Sequence, residues 1–514
     1  MDFSAVSIKD LREFLRNMIL GKYLEKYWKK IFIYASIGII AMSILIRIIM
    51  YIKCRSLWAD EAAFAESIVS RNWLELLTPP LSNMQSAPVL YVIAVKAICS
   101  IFGYSEFSLR ILSLFSFVSL LICETIFLKK AFNFNNYRIA FVVVMTALLP
   151  SYIWYSNELK PYMGDAFFVV LTILLYYFYI QDKIKLPTLT ALCILILGFS
   201  SPSIFFIAGI LFFEFLSAIV NKNKKQIFSI AVSGIVILAA FGLYYYWWMS
   251  PVSKGMKAWW WGLDTPGIIK ILRIFNVKGN SDSTFVWFFV PFALLGIFSL
   301  CKLKNKIAYS VALSLFFTFL ASSIGYWPLT GRLWLFLPAI VLIFTPIGIG
   351  FIHDKVNSKK IANIIEFCIF STITIFLAIN SVRYAGNKTY YPTQEINPLI
   401  YYVQKNIKED EKLYVFPFAI CAFNYKNGYN SAKIGNVAKD NIIYGENVNE
   451  WNESILGNEL QSILENKKTY LIFSHYTVEN IKIGNGLSVL RNYGTLTKIM
   501  DVYNTPLYYF ERSE

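Results

Sequence analysis

The chain has 514 residues, of which 57% are hydrophobic, 17% aromatic and 16% charged. That balance excludes an ordinary water-soluble domain, because too few polar residues remain to cover its surface. The net charge of +16 does not indicate nucleic acid, since the Lys and Arg residues fall in short gaps between apolar runs instead of gathering on one basic face.

In chain order, residues 1–30 are basic and amphipathic, with Lys22, Lys26, Lys29 and Lys30 leading into an apolar run from Ile31 to Tyr51. No small-residue cleavage site follows, so this reads as an uncleaved anchor with a cytoplasmic N-terminus. Further apolar runs cover 109–128, 139–155, 163–180, 186–200, 203–220, 227–248, 284–300, 307–326, 332–352 and 363–382. Each approaches the roughly 20 residues with which a helix crosses hydrocarbon, giving about eleven transmembrane helices.

Residues 87–102 are shorter and carry Lys96. Counting them as a span would move Lys129/Lys130/Arg138, Lys183/Lys185, Lys222/Lys224/Lys225, Lys302/Lys304/Lys306 and Lys355/Lys359/Lys360 to the face opposite the basic N-terminus, against the positive-inside rule. They are therefore placed as a helix lying on the outer surface. The predicted organisation is a cytoplasmic stretch (1–30), an all-α polytopic membrane domain (31–382) whose external loop 52–108 carries juxtamembrane helices, and an extracytoplasmic α/β domain (383–514). In that last part, 413–416 and 469–473 read as buried strands between helical stretches near 395–407 and 455–466. The protein is expected in the plasma membrane as a multi-pass protein among membrane lipids.

The aromatic group Tyr244, Tyr245, Tyr246, Trp247, Trp248, Trp259, Trp260 and Trp261 reads first as an interfacial belt, with sugar stacking as the alternative. Seven scattered cysteines, with no CxxC spacing, argue against disulfides and thiolate metal sites.

The residues able to carry chemistry share the outer face. Asp60 and Glu61 follow the first span in a segment with apolar residues at helical spacing. In the first turn of such a helix a carboxylate can simply complement the helix dipole. Held where lipid meets water, it can instead take a proton from an acceptor hydroxyl. The segment after the third span adds Glu158, Lys160, Tyr162 and Asp165. A lysine there often snorkels, whereas Asp165, about a turn inside the fourth span, is in a costly place for a carboxylate. Arg332 and Arg110, at the outer ends of the tenth and second spans, suit phosphate oxygens or an interfacial anchor. Glu124 and Glu214 read as structural charges paired with nearby lysines.

In pattern and order these residues resemble the GT-C membrane glycosyltransferases, specifically bacterial members similar to protein O-mannosyltransferases and the lipid A aminoarabinose transferase. The resemblance rests on Trp58-Ala59-Asp60-Glu61, Gln85-Ser86-Ala87-Pro88, Gly103 through Arg110, Glu158-Leu159-Lys160-Pro161-Tyr162, Ser201-Pro202, and Gly331-Arg332 through Pro338. It covers roughly residues 30 to 350. It implies a GT-C fold and transfer of a sugar from a polyprenyl-phosphate-linked donor to a lipid, glycan or protein acceptor on the outer face, usually with inversion. By that analogy Asp60, with Glu61 beside it, supplies the general base, and Glu158 or Asp165 a second acid. Lys160, Arg332 and Arg110 would meet the donor phosphate, and Tyr162 would assist. Relatives hold a metal with a carboxylate and a His; here the only histidines are His353 and His475, so a divalent metal ion is a cofactor the resemblance leaves open.

Other classes remain in view. A transporter or flippase for a lipid-linked glycan predicts mid-membrane charges and internal repeats, neither evident here. A surface-polysaccharide polymerase or ligase would use the same donors, and a noncatalytic scaffold would tolerate Asp60→Asn.

Overall fold

Long uncharged runs satisfy their backbone hydrogen bonds internally, and every run expected to span is helical in the structure. A computed structural model describes residues 19–252, 284–328, 331–386, 394–427, 433–434, 437–438, 441–446, 457–474, 483–503 and 505–513. The membrane part comprises α1 (Ile19–Ile52), then α2 (Ala59–Ser70), α3 (Val89–Phe102), α4 (Glu106–Ala131), α5 (Asn136–Leu148), α6 (Pro150–Tyr155), α7 (Tyr162–Ile180), α8 (Leu186–Phe199), α9 (Ser203–Val220), α10 (Lys224–Tyr244), α11 (Thr284–Lys302), α12 (Lys306–Ser323), α13 (Phe336–His353) and α14 (Lys359–Gly386). Eight helices among the described residues are long and apolar enough to cross a membrane. The chain is a multi-pass membrane protein.

The run 139–155 is not one helix. Pro150 has no amide to continue the α5 ladder, so α5 ends at Leu148 and α6 restarts with the proline at its first position. Asn136–Leu148, Leu186–Phe199 and Phe289–Lys302 are shorter apolar segments than the eight. Helices α11 and α13 touch backbone to backbone through Gly296 and Gly348: a Cβ on Gly348 would overlap the Phe292 carbonyl, and one on Gly296 the Phe344 carbonyl.

Two buried carboxylates behave differently from each other. Glu214 pairs with Lys306 at 3.5 Å and accepts from Tyr176 at 2.7 Å, as a structural charge should. Glu124 has no lysine partner; it is fully buried and accepts from Thr146 Oγ1 at 3.1 Å, which corrects the expected pairing.

After the membrane part come α15 (Asn397–Asn406), β1 (Lys412–Val415), α16 (Ile420–Asn427), the two-residue strands β2 (Lys433–Ile434) and β3 (Val437–Ala438), β4 (Ile442–Tyr444), α17 (Gly457–Leu464), β5 (Lys468–Ile472), α18 (Ile483–Tyr493), β6 (Gly494–Asp501) and β7 (Pro506–Arg512). The main sheet has the order β4-β1-β5-β7-β6. Strands β4, β1 and β5 are parallel; 413–415 of β1 and 469–472 of β5 are buried on both faces, β4 buries only Ile442 at the edge, and β7 and β6 close the other side antiparallel.

This sheet domain and the first external loop share one core. Ile68, Leu76, Val92, Val95 and Leu109 of the loop region belong to the same buried cluster as Leu399, Leu413, Phe416 and Phe423. Lys96 does not snorkel from α3 to solvent. It is 5% exposed and donates to the Ile68 carbonyl at 2.7 Å and the Arg71 carbonyl at 2.8 Å, closing the C-terminal end of α2.

Candidate functional site

Helix α2 opens at Ala59, so Asp60 and Glu61 stand about 100° apart around its axis and face different surroundings. Glu61 points inward and is fully buried. Its Oε1 accepts from Arg110 Nε at 2.8 Å and from the Leu159 amide at 2.7 Å, and its Oε2 from Arg55 at 2.8 Å and Arg110 Nη2 at 2.7 Å. The Trp58 amide also donates to it at 3.4 Å, so Glu61, not Asp60, caps the helix. Burial alone would raise this carboxyl, but Arg110 and Arg55 hold it at about 2.

The same geometry removes Arg110 from the phosphate-binding set. It is 3% exposed, and beyond Glu61 its nitrogens donate to the Arg55 and Ser56 carbonyls at 2.8 and 3.2 Å. A guanidinium so occupied holds the loop to the second span and has little left for a ligand. Glu61 likewise has no free face for proton transfer.

Asp60 points the other way. Its carboxylate is 26% exposed and pairs with Arg332, which lies just before α13 and is 39% exposed. Lys160, in the turn between α6 and α7, is 4% exposed and donates to Gln85 Oε1 at 2.5 Å. Burial works to raise the Asp60 carboxyl, yet Lys160 and then Arg332 bring it below its ordinary value, leaving it ionised at neutral pH. Burial lowers the Lys160 ammonium to about 8, with Asp60 acting in the opposite sense. Tyr162 is buried with its ring 5.9 Å from the Arg332 guanidinium carbon, and Trp58 lies 6.0 Å from that carbon on another side. The structure therefore gathers Asp60, Lys160, Tyr162 and Arg332, and adds Gln85 and Trp58.

The turn 156–161 is buried, and the Glu158 carbonyl within it is paired twice. Ser113 Oγ donates to the Glu158 carbonyl at 2.6 Å, and the Lys160 amide to the same carbonyl at 2.8 Å. The Glu158 side chain is fully buried, accepting from Trp154 Nε1 at 2.5 Å on one oxygen while the other has no protein partner. Burial, followed by the charge of Glu61, pushes it up to about 7. Asp165, inside α7 beside Ser200, also keeps one buried oxygen without a protein partner, as does the Trp58 indole nitrogen. These are atoms a polar ligand could satisfy.

An apolar cavity of about 500 Å³ is lined by α3, α8 and α10 and the residues after α10, including Leu90, Leu197, Gly198, Leu243, Tyr244 and Trp247. One short segment runs from Lys160 to this cavity: Gln85 holds Lys160, the Ala87 carbonyl accepts from Trp248 Nε1 at 2.7 Å, and Val89 and Leu90 enter the cavity wall. Tyr244, Tyr246 and Trp247 thus line a groove; Trp259, Trp260 and Trp261 lie outside the described residues. No three His, Cys, Asp or Glu among the described residues are grouped to hold a metal ion. His353 sits beside Asp354 at the end of α13, and His475 is outside the described residues. The donor set around Asp60 is cationic and does not fit a divalent ion.

The architecture, a polytopic helical membrane domain with a small sheet domain at the end, is the GT-C fold. Among solved structures, ArnT from Cupriavidus metallidurans in the apo state aligns with a TM-score of 0.51 at 10% identity, over 94% of this chain and 98% of that one. ArnT bound to undecaprenyl phosphate gives 0.48 at 10% identity over the same shares, and the Archaeoglobus fulgidus oligosaccharyltransferase complex with Zn and sulfate gives 0.48 at 12%, over 91% of this chain and 72% of that one. At such identities the likeness is one of fold. No family model matches the chain, and no curated protein matches it in sequence.

Proposed function

We propose that the protein is a glycosyltransferase that moves a sugar from a polyprenyl-phosphate-linked donor to an acceptor hydroxyl on the outer face of the plasma membrane. The observation that carries this reading is an ionised Asp60 flanked by Lys160 and Arg332, with the segment 85–90 running from Lys160 to the wall of an apolar groove. A phosphate on a long hydrocarbon chain needs that pairing of cations and groove. The choice of carrier follows ArnT, which has been solved with undecaprenyl phosphate bound.

Before donor binds, Arg332 and Asp60 neutralise each other. Donor phosphate arriving between Arg332 and Lys160 draws the guanidinium toward its own oxygens and leaves the Asp60 carboxylate free to accept a proton. The acceptor oxygen then bonds to the anomeric carbon as the bond from that carbon to the phosphate oxygen breaks. The hydroxyl proton goes to Asp60 and the carrier leaves as its phosphate, held by the two cations. One displacement with a single base inverts the anomeric centre. The N-terminus is cytoplasmic and the C-terminal domain extracytoplasmic in this reading.

The test is undecaprenyl phosphate binding to the purified protein in nanodiscs, followed by native mass spectrometry. Lys160→Ala and Arg332→Ala are each expected to weaken binding at least tenfold, while Asp60→Asn retains binding and abolishes sugar transfer in the host. Wild-type affinity in both cation variants would refute the assignment.

A further inference from the structure

The linker after α14 reaches back to the segment that carries Asp60. Gln394 Oε1 accepts from the Ala59 amide at 3.4 Å, the first amide of α2. Glu395 Oε2 accepts from the Ser56 amide at 3.1 Å and the Ser56 hydroxyl at 2.9 Å, and the Asn397 amide donates to Ser56 Oγ at 3.1 Å. Trp58, at the cap position, has no side-chain acceptor for the orphan amides of the helix start, so Gln394 supplies one from the far end of the chain.

The other side of the same segment is held by the membrane domain, because the Ser56 carbonyl accepts from Arg110 at 3.2 Å and from Arg55 at 3.3 Å. A second tie lies below: Asn397 Nδ2 and Lys426 both reach Glu106 Oε1 at the start of α4, at 3.3 and 3.4 Å. Residues 56–59 are thus clamped between the second span and the C-terminal domain, and Asp60 is the next residue.

We propose that Gln394 and Glu395 are positioning residues, through which the C-terminal domain sets where the Asp60 carboxylate stands relative to Arg332 and Lys160. They touch no substrate in this arrangement; they act through α2. Displacing a catalytic group by about 1 Å can cost on the order of 100-fold in rate, so hydrogen bonds of ordinary strength at this point have leverage on turnover out of proportion to their stability. The proposal rests on the reading of Asp60 as the base.

The experiment compares wild type, Gln394→Ala/Glu395→Ala, Glu395→Gln and Asp60→Asn in three measurements. These are amide exchange of peptides covering residues 56–62, binding of undecaprenyl phosphate by the purified protein, and sugar transfer in a host lacking its own copy, followed by mass spectrometry of lipid-linked and surface glycans. The double alanine variant is expected to exchange faster over 56–62 and to lose at least tenfold in transfer, with affinity for undecaprenyl phosphate within twofold of wild type. Glu395→Gln keeps an acceptor for both Ser56 donors and is expected to transfer like wild type. Faster exchange with undiminished transfer overturns the proposal, as does a parallel loss of transfer and binding, or Glu395→Gln as impaired as the double alanine variant. If Asp60→Asn transfers normally, the base assignment itself fails, and the positioning role fails with it.

Discussion

Replacing Glu61 with glutamine keeps the shape of the side chain and removes one negative charge from a site where two guanidinium groups converge on it. The Arg110 side chain is 4% exposed and that of Arg55 12%, so neither can recover its hydration by a small movement. Removing one partner of such a buried pair costs about 3–5 kcal/mol, most of it the penalty of the stranded charge. The neighbouring change Asp60→Asn breaks a pair whose members are 26% and 39% exposed, and exposed pairs are worth about 0.2–1 kcal/mol. The two variants should therefore differ by at least about 2 kcal/mol, some 30-fold in the unfolding equilibrium. Unfolding by SDS in mixed micelles, followed by tryptophan fluorescence, measures both. The expected pattern is an unstable Glu61→Gln protein and a stable but inactive Asp60→Asn protein. Equal stability of the two would refute the division of labour drawn between these adjacent carboxylates.

Affinity for undecaprenyl phosphate should fall above a pH of about 8, because the Lys160 ammonium, lowered by burial to about 8, is charged below that value and neutral above it; Lys160→Arg should move the fall to higher pH in the same binding titration. Glu158 has a folded-state value raised from 4.5 to about 7, so the folded protein holds that proton more tightly than the unfolded chain, and its contribution to stability declines as pH rises through this window. Glu158→Gln should accordingly gain on wild type by up to about 3 kcal/mol between pH 5 and pH 8 in chemical denaturation, and a constant difference would count against the shift. Gly348→Ala forces α11 and α13 apart at the Phe292 carbonyl and should cost about 1–3 kcal/mol or more in the same micelle assay, whereas alanine at Gly234, which meets no atom within 4 Å, should leave stability unchanged.

Much of this architecture is legible in the sequence because hydrocarbon imposes a length and a polarity on each span. The run 203–220 coincides with α9, and 363–382 falls short of α14 by four residues at each end. Parallel strands buried on both faces leave the same kind of signature, which is why 413–416 and 469–473 could be read. The β6–β7 hairpin could not: β6 buries no residue, β7 buries only Pro506, Leu507 and Phe510, and Lys498, Asp501 and Glu511 interrupt any apolar pattern. Counting spans leads one to expect Asp60, Lys160, Tyr162 and Arg332 on one face, and the structure brings them together.

What the sequence hides is direction. Adjacent residues on a helix diverge by about 100°, so nothing in the string Asp60-Glu61 tells which carboxylate faces the cleft and which the arginines. For the same reason Arg110 could be expected at a phosphate, and Lys96 at the interface, when each is folded inward onto carbonyls or a carboxylate. Gln85 was visible within its motif, but as a neutral side chain it carried no sign of its bond to Lys160.

The core common to the first external loop and the C-terminal domain has a consequence for biogenesis. Ser56 and Glu395 are separated by 339 residues, which at roughly 5–20 residues per second means about 20–70 s of synthesis between them. During that interval Ile68, Leu76 and Val92 lack the partners from the C-terminal domain that later cover them. Chain closure is thus a final step, made only when residues 394–514, the last quarter of the polypeptide, reach the loop that follows the first span. A chain ending before Gln394 is expected to insert its spans and yet expose the first loop to protease, so that intact delivery of the C-terminus serves as the checkpoint for a completed molecule.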